Sequence, residues 1–293
     1  MIKKNIPNFI TCLNLLCGCI GIVFAFEGNL VWSAYMVGIA AVLDFLDGFA
    51  ARILKVHSEI GKQLDSLADM VSFGVLPGVV MFNLLQQSFY YELFLEYWKV
   101  PLPNKFNDIW YDTTRVNYIP YIAFLIPVFS AIRLAKFNID TRQTNSFIGL
   151  PTPANSIFIC SLPLILFFGN EIGKYFLQTT SFDVSIDKTP EVIWDVFHTN
   201  TLDFNFWISR ILFSPYFLIS LTLISSLLLV APLPLFALKF KNFSWTDNKI
   251  RYIFLALCVP LLILFQFVGI PIIIVFYILL SIANNFILRI TNK

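Results

Sequence analysis

Six stretches of this chain, residues 9–26, 70–91, 116–132, 143–170, 211–238 and 252–288, contain no aspartate, glutamate, lysine or arginine. A helix needs about 20 such residues to cross a hydrocarbon core roughly 30 Å thick. The last run is too long for one crossing, since its 37 residues at about 1.5 Å each would reach roughly 55 Å. Gly269 and Pro271 in "FVGIPI" are its natural break. Residues 28–54 add a span that is uncharged until Asp44. The expectation is an all-α polytopic membrane protein with eight transmembrane helices, at about 8–27, 30–54, 62–87, 117–137, 152–170, 211–236, 251–268 and 270–289. Composition agrees: 58% of residues are hydrophobic and only 13% charged, far from the balance of a soluble domain.

The net charge of +2 is uninformative, but its distribution sets an orientation. With the N-terminus in the cytoplasm and alternating spans, the cytoplasmic loops and ends hold 14 of the 20 lysines and arginines, while the opposite side holds 11 of the 18 acidic residues. This obeys the positive-inside rule and places both termini in the cytoplasm. The first span lacks a small-residue cleavage site, and Asn8, Thr11 and Asn14 interrupt its beginning, so it reads as a retained helix. The five cysteines fall in apolar runs and read as small buried hydrophobes. Two acidic, aromatic inserts, 88–116 and 171–210, lie on the outer side as interfacial caps. No P-loop, dinucleotide fingerprint or basic nucleic-acid patch is present, so no nucleic-acid partner is expected.

The segment "LDFLDGFAARILKVHSEIGKQLDSLADM", residues 43–70, puts Asp44, Asp47, Asp65 and Asp69 among membrane residues. One carboxylate at the centre of a membrane helix costs about 2.5–3.5 kcal/mol even on the lenient insertion scale. Two of them about 4 Å apart repel by a further ~4 kcal/mol at an effective dielectric of 20. Divalent metal is the simplest compensation, because hard oxygen ligands suit magnesium, manganese or calcium. Asp44 and Asp47 share one helix face, as do Asp65 and Asp69, and the short turn between the helices makes them antiparallel neighbours. Gly48 leaves room for a bulky ligand, Gly61 opens the second helix with amides suited to phosphate, and Arg52 reaches a phosphate or complements its helix end. A transporter's ion pathway could carry such carboxylates too, although these ionisable groups cluster at one end of the spans.

The pattern Asp44-x2-Asp47-Gly48-x2-Ala51-Arg52-x8-Gly61-x3-Asp65-x3-Asp69 resembles the signature of the CDP-alcohol phosphatidyltransferase family at every fixed position. The resemblance implies a six-helix core within residues 1–236, to which 237–293 add a C-terminal two-helix hairpin. "IPNFITCLNLLCG", "LDSLADMVSFGVLPG", "RLAKFN" and "FIGLPTPAN" are similar to the branch that uses CDP-diacylglycerol and serine. It implies a metal-dependent transferase of phospholipid biosynthesis that moves phosphatidyl from CDP-diacylglycerol to L-serine and releases CMP. Asp44, Asp47, Asp65 and Asp69 would hold two magnesium or manganese ions, with Asp69 also the general base. Gly48, Ala51, Arg52 and Gly61 would shape the CDP-diacylglycerol site. Arg133, Lys136 and Asn138 are the candidates for serine, against the alternative that Arg133 and Lys136 are positive-inside anchors. Asn155 follows a rigid Gly/Pro turn, His57 reads as a loop residue, and His198, in an outer insert, carries no assignment. The resemblance further implies a homodimer. A sibling enzyme using glycerol 3-phosphate or inositol phosphate is the alternative within the class, and a cation transporter the alternative outside it.

Overall fold

The structure, a computed structural model, describes residues 2–56, 58–98, 118–139, 146–169, 177, 204–236 and 244–291. His57, His198 and most of the two outer inserts lie outside the described residues. Helix α1 (Ile2–Phe26) is followed by α2 (Leu30–Leu54), and α3 (Glu59–Asp69) continues through a π-helical segment (Met70–Val75) into α4 (Leu76–Trp98). A 3-10 turn at Ile119–Phe124 leads into α5 (Leu125–Ile139), and α6 (Thr152–Gly169) follows. Helices α7 (Phe204–Leu212), α8 (Pro215–Val230), α9 (Trp245–Phe265) and α10 (Gly269–Thr291) complete the order.

Five stretches are long and apolar enough to cross a membrane: Asn5–Phe26, Glu59–Phe89, Ile119–Ile139, Thr152–Gly169 and Asn248–Phe286. The last is broken as expected, because Gln266 adopts φ 48° and a 3-10 turn at Gln266–Val268 folds α10 back onto α9. With α2 and the shorter apolar helix Pro215–Val230, the eight expected helices are all present. The protein is an all-α polytopic membrane protein.

Membrane helices gain little from burying apolar surface against one another, because lipid is equally apolar; close van der Waals fit replaces that force. Gly18 of α1 shows it. A Cβ there would lie 3.0 Å from Ser72 Cα, so the missing side chain lets the π segment approach, and Ser72 Oγ donates to the Asn14 carbonyl at 3.0 Å. The interior of the bundle is centred on α4 and α6, with Phe73, Leu76, Met81, Leu84, Ile159 and Leu166 fully enclosed. Outward residues such as Phe45, Ile60, Leu67 and Ile263 are exposed, as lipid-facing side chains should be.

One element was not anticipated. Strand β1 (Ser146–Ile148) pairs antiparallel with β2 (Pro234–Phe236), Phe147 opposite Leu235, and joins the connection before α6 to the one after α8. The ribbon continues as Gly149 N–H donates to Leu233 O, and Leu150 N–H then ties to the Leu228 carbonyl in the last turn of α8, both at 2.9 Å. Gly149 sits at φ +80°, where a Cβ would collide with the Leu229 carbonyl, so only glycine fits.

Candidate active site

The turn between α2 and α3 is short because both ends are capped. Lys55 takes the left-handed conformation (φ 51°) and Val56 N–H closes on the Ala51 carbonyl at 3.1 Å. Ser58, in extended conformation, accepts from Gly61 N–H at 2.9 Å, and Glu59 in the first turn of α3 complements the helix dipole. The chain therefore reverses within a few residues and brings Asp65 and Asp69 back beside Asp44 and Asp47.

The two helices are not in simple side-by-side contact. Helix α2 meets the π segment and α4, but along Glu59–Asp69 it is α1 that packs against α3, and α1 also packs along α2. The four aspartates bring their carboxyl groups together between α2 and α3. Asp44, Asp47 and Asp65 each place one carboxylate oxygen within 4.8 Å of the others. The carboxyl of Asp69 lies against that of Asp44. Repulsion of ~4 kcal/mol per pair at this separation makes the bare tetra-anion untenable.

Two observations show that a divalent cation fits. The donors are hard carboxylate oxygens, and Asp69 Oδ1 is buried with no hydrogen-bond partner. Asp44, Asp47 and Asp65 could hold the ion, with Asp69 adjoining it.

The residues expected around the nucleotide divide. Gly48 opens onto free space, since a Cβ there would meet only the Arg52 guanidinium at 3.8 Å; Arg52 folds back along its helix toward this gap. Ala51 is half-buried one turn from Asp47. Gly61 corrects the expectation. Its amide is taken by Ser58, and a Cβ would meet Asn8 Oδ1 at 2.7 Å and Ser58 Oγ at 2.8 Å. Gly61 is needed because α1 passes close to the cap, and its own N–H is not free for phosphate.

The acceptor candidates divide as well. Arg133 is only 8% exposed on α5, which rules out the picture of a surface anchor. It lies within electrostatic range of Asp69, its guanidinium is 5.9 Å from the Phe137 ring centroid, and its Nε has no partner. Ser130, one turn earlier, is buried with an unpartnered hydroxyl. Lys136 is exposed. Asn138 is already engaged: its Nδ2 donates to Ser66 Oγ at 2.9 Å, and Lys62 Nζ donates to its carbonyl at 3.4 Å. It braces α5 against α3. Asn155, fully buried in the first turn of α6, has neither amide atom partnered.

Sequence reading missed the contribution of α1. The Thr11 hydroxyl donates to Asp47 Oδ2 at 2.6 Å, which fixes a carboxylate only 6% exposed. Asn8 abuts the α3 cap, and Asn14 is fully buried with its amide unpartnered. Their spacing of three residues on an apolar helix was the available signal, because it puts three polar side chains on one face.

Comparison with known proteins bears on the same residues. The family model for CDP-alcohol phosphatidyltransferase matches residues 4–186. A CDP-diacylglycerol–serine O-phosphatidyltransferase of Helicobacter pylori strain J99 is 31% identical over 155 residues, covering 52% of this chain and 54% of that protein. One from Bacillus subtilis is 30% identical over 152 residues, covering 50% and 69%. An archaetidylserine synthase of Methanothermobacter thermautotrophicus is 26% identical over 176 residues, covering 59% and 63%. The match thus spans about half the length of the Helicobacter pylori relative. The family match takes in α1 to α6 and the whole aspartate cluster, and α7 to α10 lie beyond it. By the extent of that match, the chain belongs to the CDP-alcohol phosphatidyltransferase family.

Proposed function

We propose that this protein transfers the phosphatidyl group of CDP-diacylglycerol to L-serine, releasing CMP, with magnesium or manganese bound by Asp44, Asp47 and Asp65. The observation that carries the choice of acceptor is buried Arg133, within electrostatic range of Asp69. Among the described residues Arg133 is the one buried cation; its Nε has no hydrogen-bond partner, and Asp69 in turn has a buried oxygen without one. Serine matches that pair: its carboxylate complements the guanidinium, its hydroxyl needs a proton acceptor, and its ammonium tolerates a neighbouring anion. The names of the relatives point the same way.

In this reading the lipid's acyl chains lie in the bilayer and its pyrophosphate enters between α2 and α3. Gly48 leaves space for the nucleotide, and Arg52 offers charge-assisted hydrogen bonds to phosphate. Bound metal would supply Lewis-acid neutralisation of the pyrophosphate. Thr11 holds Asp47 in one orientation, as partners behind a ligand usually do. Arg133 orients serine so that its hydroxyl points to Asp69. Asp69 takes the hydroxyl proton at Oδ1 as the oxygen attacks the phosphorus bearing diacylglycerol, and the bond to CMP breaks. Residues 1–236 form the transferase core and 237–293 an added hairpin, with both termini and the site on the cytoplasmic side.

A phosphate-bearing acceptor is the competing reading. It would call for more than one buried cation, and Lys136 is exposed. The test is product analysis: purified protein with CDP-diacylglycerol, manganese and isotopically labelled serine should put label into a phosphatidylserine headgroup and release one CMP per lipid formed. Label left wholly in free serine, with CMP released only on addition of glycerol 3-phosphate or inositol phosphate, would replace serine by that acceptor.

A further inference from the structure

The last helix carries polar residues that neither metal nor nucleotide uses. Tyr277, Ser281 and Asn285 recur every four residues on α10, which is otherwise apolar over most of its length, so they form one stripe. Polar side chains inside membrane helices are costly and are kept where they meet a partner. These meet β2. Tyr277 Oη donates to the Phe236 carbonyl at 2.8 Å, Asn285 Nδ2 donates to the Pro234 carbonyl, and Ser281 Oγ returns to the Tyr277 carbonyl at 2.7 Å.

Phe236 and Pro234 are two residues apart on β2, whose other edge pairs with β1. The stripe therefore caps the outer edge of the ribbon. A ribbon of three-residue strands is not stable alone and depends on what it packs against. Here that support is a small buried cluster of Leu150, Leu235, Phe254 and Tyr277, with the Tyr277 ring edge-on to Phe236 at 4.9 Å. The β1 end of the ribbon runs through Gly149 and Leu150 directly into the first turn of α6, where Thr152 and Asn155 carry buried unpartnered polar atoms. Tyr277 also lies within electrostatic range of Arg133.

We infer that Tyr277 is a positioning residue for the acceptor end of the site: it latches the hairpin onto the β1–β2 ribbon and so fixes the turn into α6, where Asn155 is buried and unpartnered. The inference rests on the acceptor transfer proposed above and gives the added hairpin a part in the reaction.

The test uses the full chain and the conservative variant Tyr277→Phe, which keeps the ring packing and removes only the hydroxyl. Loss of one such hydrogen bond should raise the apparent KM for serine about 3- to 10-fold, with kcat and the KM for CDP-diacylglycerol within about twofold. Hydrogen exchange should quicken at the amides of residues 146–150 and stay unchanged in α2 and α3. An unchanged serine KM, or both KM values rising together with faster exchange throughout the helices, would make Tyr277 a general folding residue and overturn the inference. If the unsubstituted protein prefers another acceptor, the serine reading fails, and the same split in that acceptor's KM still decides the latch. If it turns over none, unchanged exchange at 146–150 overturns the latch and local quickening supports it.

Discussion

Asp69 and Asp44 belong to one cluster yet should fail in different ways. Asp69→Asn keeps shape and a metal-facing oxygen but removes the proton acceptor, and loss of general-base catalysis typically costs about 10²–10⁴-fold. Single-turnover rates should collapse while CDP-diacylglycerol affinity survives. Asp44→Asn should instead weaken metal binding and with it substrate affinity, an effect that excess metal partly reverses. Arg133→Ala should raise the apparent KM for serine roughly 10- to 150-fold, the cost of a charged hydrogen bond of about 1.5–3 kcal/mol, and leave the KM for CDP-diacylglycerol nearly unchanged. Thr11→Val should raise the metal concentration for half-maximal activity by about 10- to 100-fold, as losses behind a ligand commonly do. The aspartates were legible in the sequence because helical spacing alone puts each pair on one face. Thr11 was not, since its meaning depends on Asp47, 36 positions away. The surroundings of Gly61 were hidden for a related reason: its fixed spacing was visible, but not that Asn8 closes over it and Ser58 occupies its amide.

Among elements, α3 depends most on its cap. Ser58 holds the helix start that aims Asp65 and Asp69, so Ser58→Ala should lower stability by about 1 kcal/mol, measurable as a fall in the thermal midpoint of the purified protein. Metal should recover part of the loss if it ties α3 to α2. The π segment after Asp69 belongs to this element, and π-helical turns inside α-helices often sit at functional sites. Long apolar runs announced the helices, and Gly269–Pro271 announced the hairpin break. The ribbon could not be foreseen. "SFI" and "PLF" are too short to show a period, and their pairing joins positions about 90 residues apart. Asn138 illustrates the same limit, for its place in "RLAKFN" was visible but its bonds to Ser66 and Lys62 were not.

On the scale of the whole molecule, the proposed topology of eight membrane-spanning helices returns the C-terminus to the side of the N-terminus, which the positive-inside charge distribution assigns to the cytoplasm. A topology reporter fused after Lys293 should therefore give the cytoplasmic signal; an external signal would mean one crossing fewer or more. The same end of the bundle carries the aspartate cluster, Arg133, the ribbon and the polar stripe of α10, where the proposed transfer would bring a soluble acceptor to a membrane-embedded donor. The central claim is a metal-dependent transfer to serine at that end. It is tested most directly by CMP release from CDP-diacylglycerol by the purified protein, with serine present or absent and with manganese or excess chelator. Release that requires both serine and the metal is the predicted result. Full release in excess chelator, or release indifferent to serine, would contradict it.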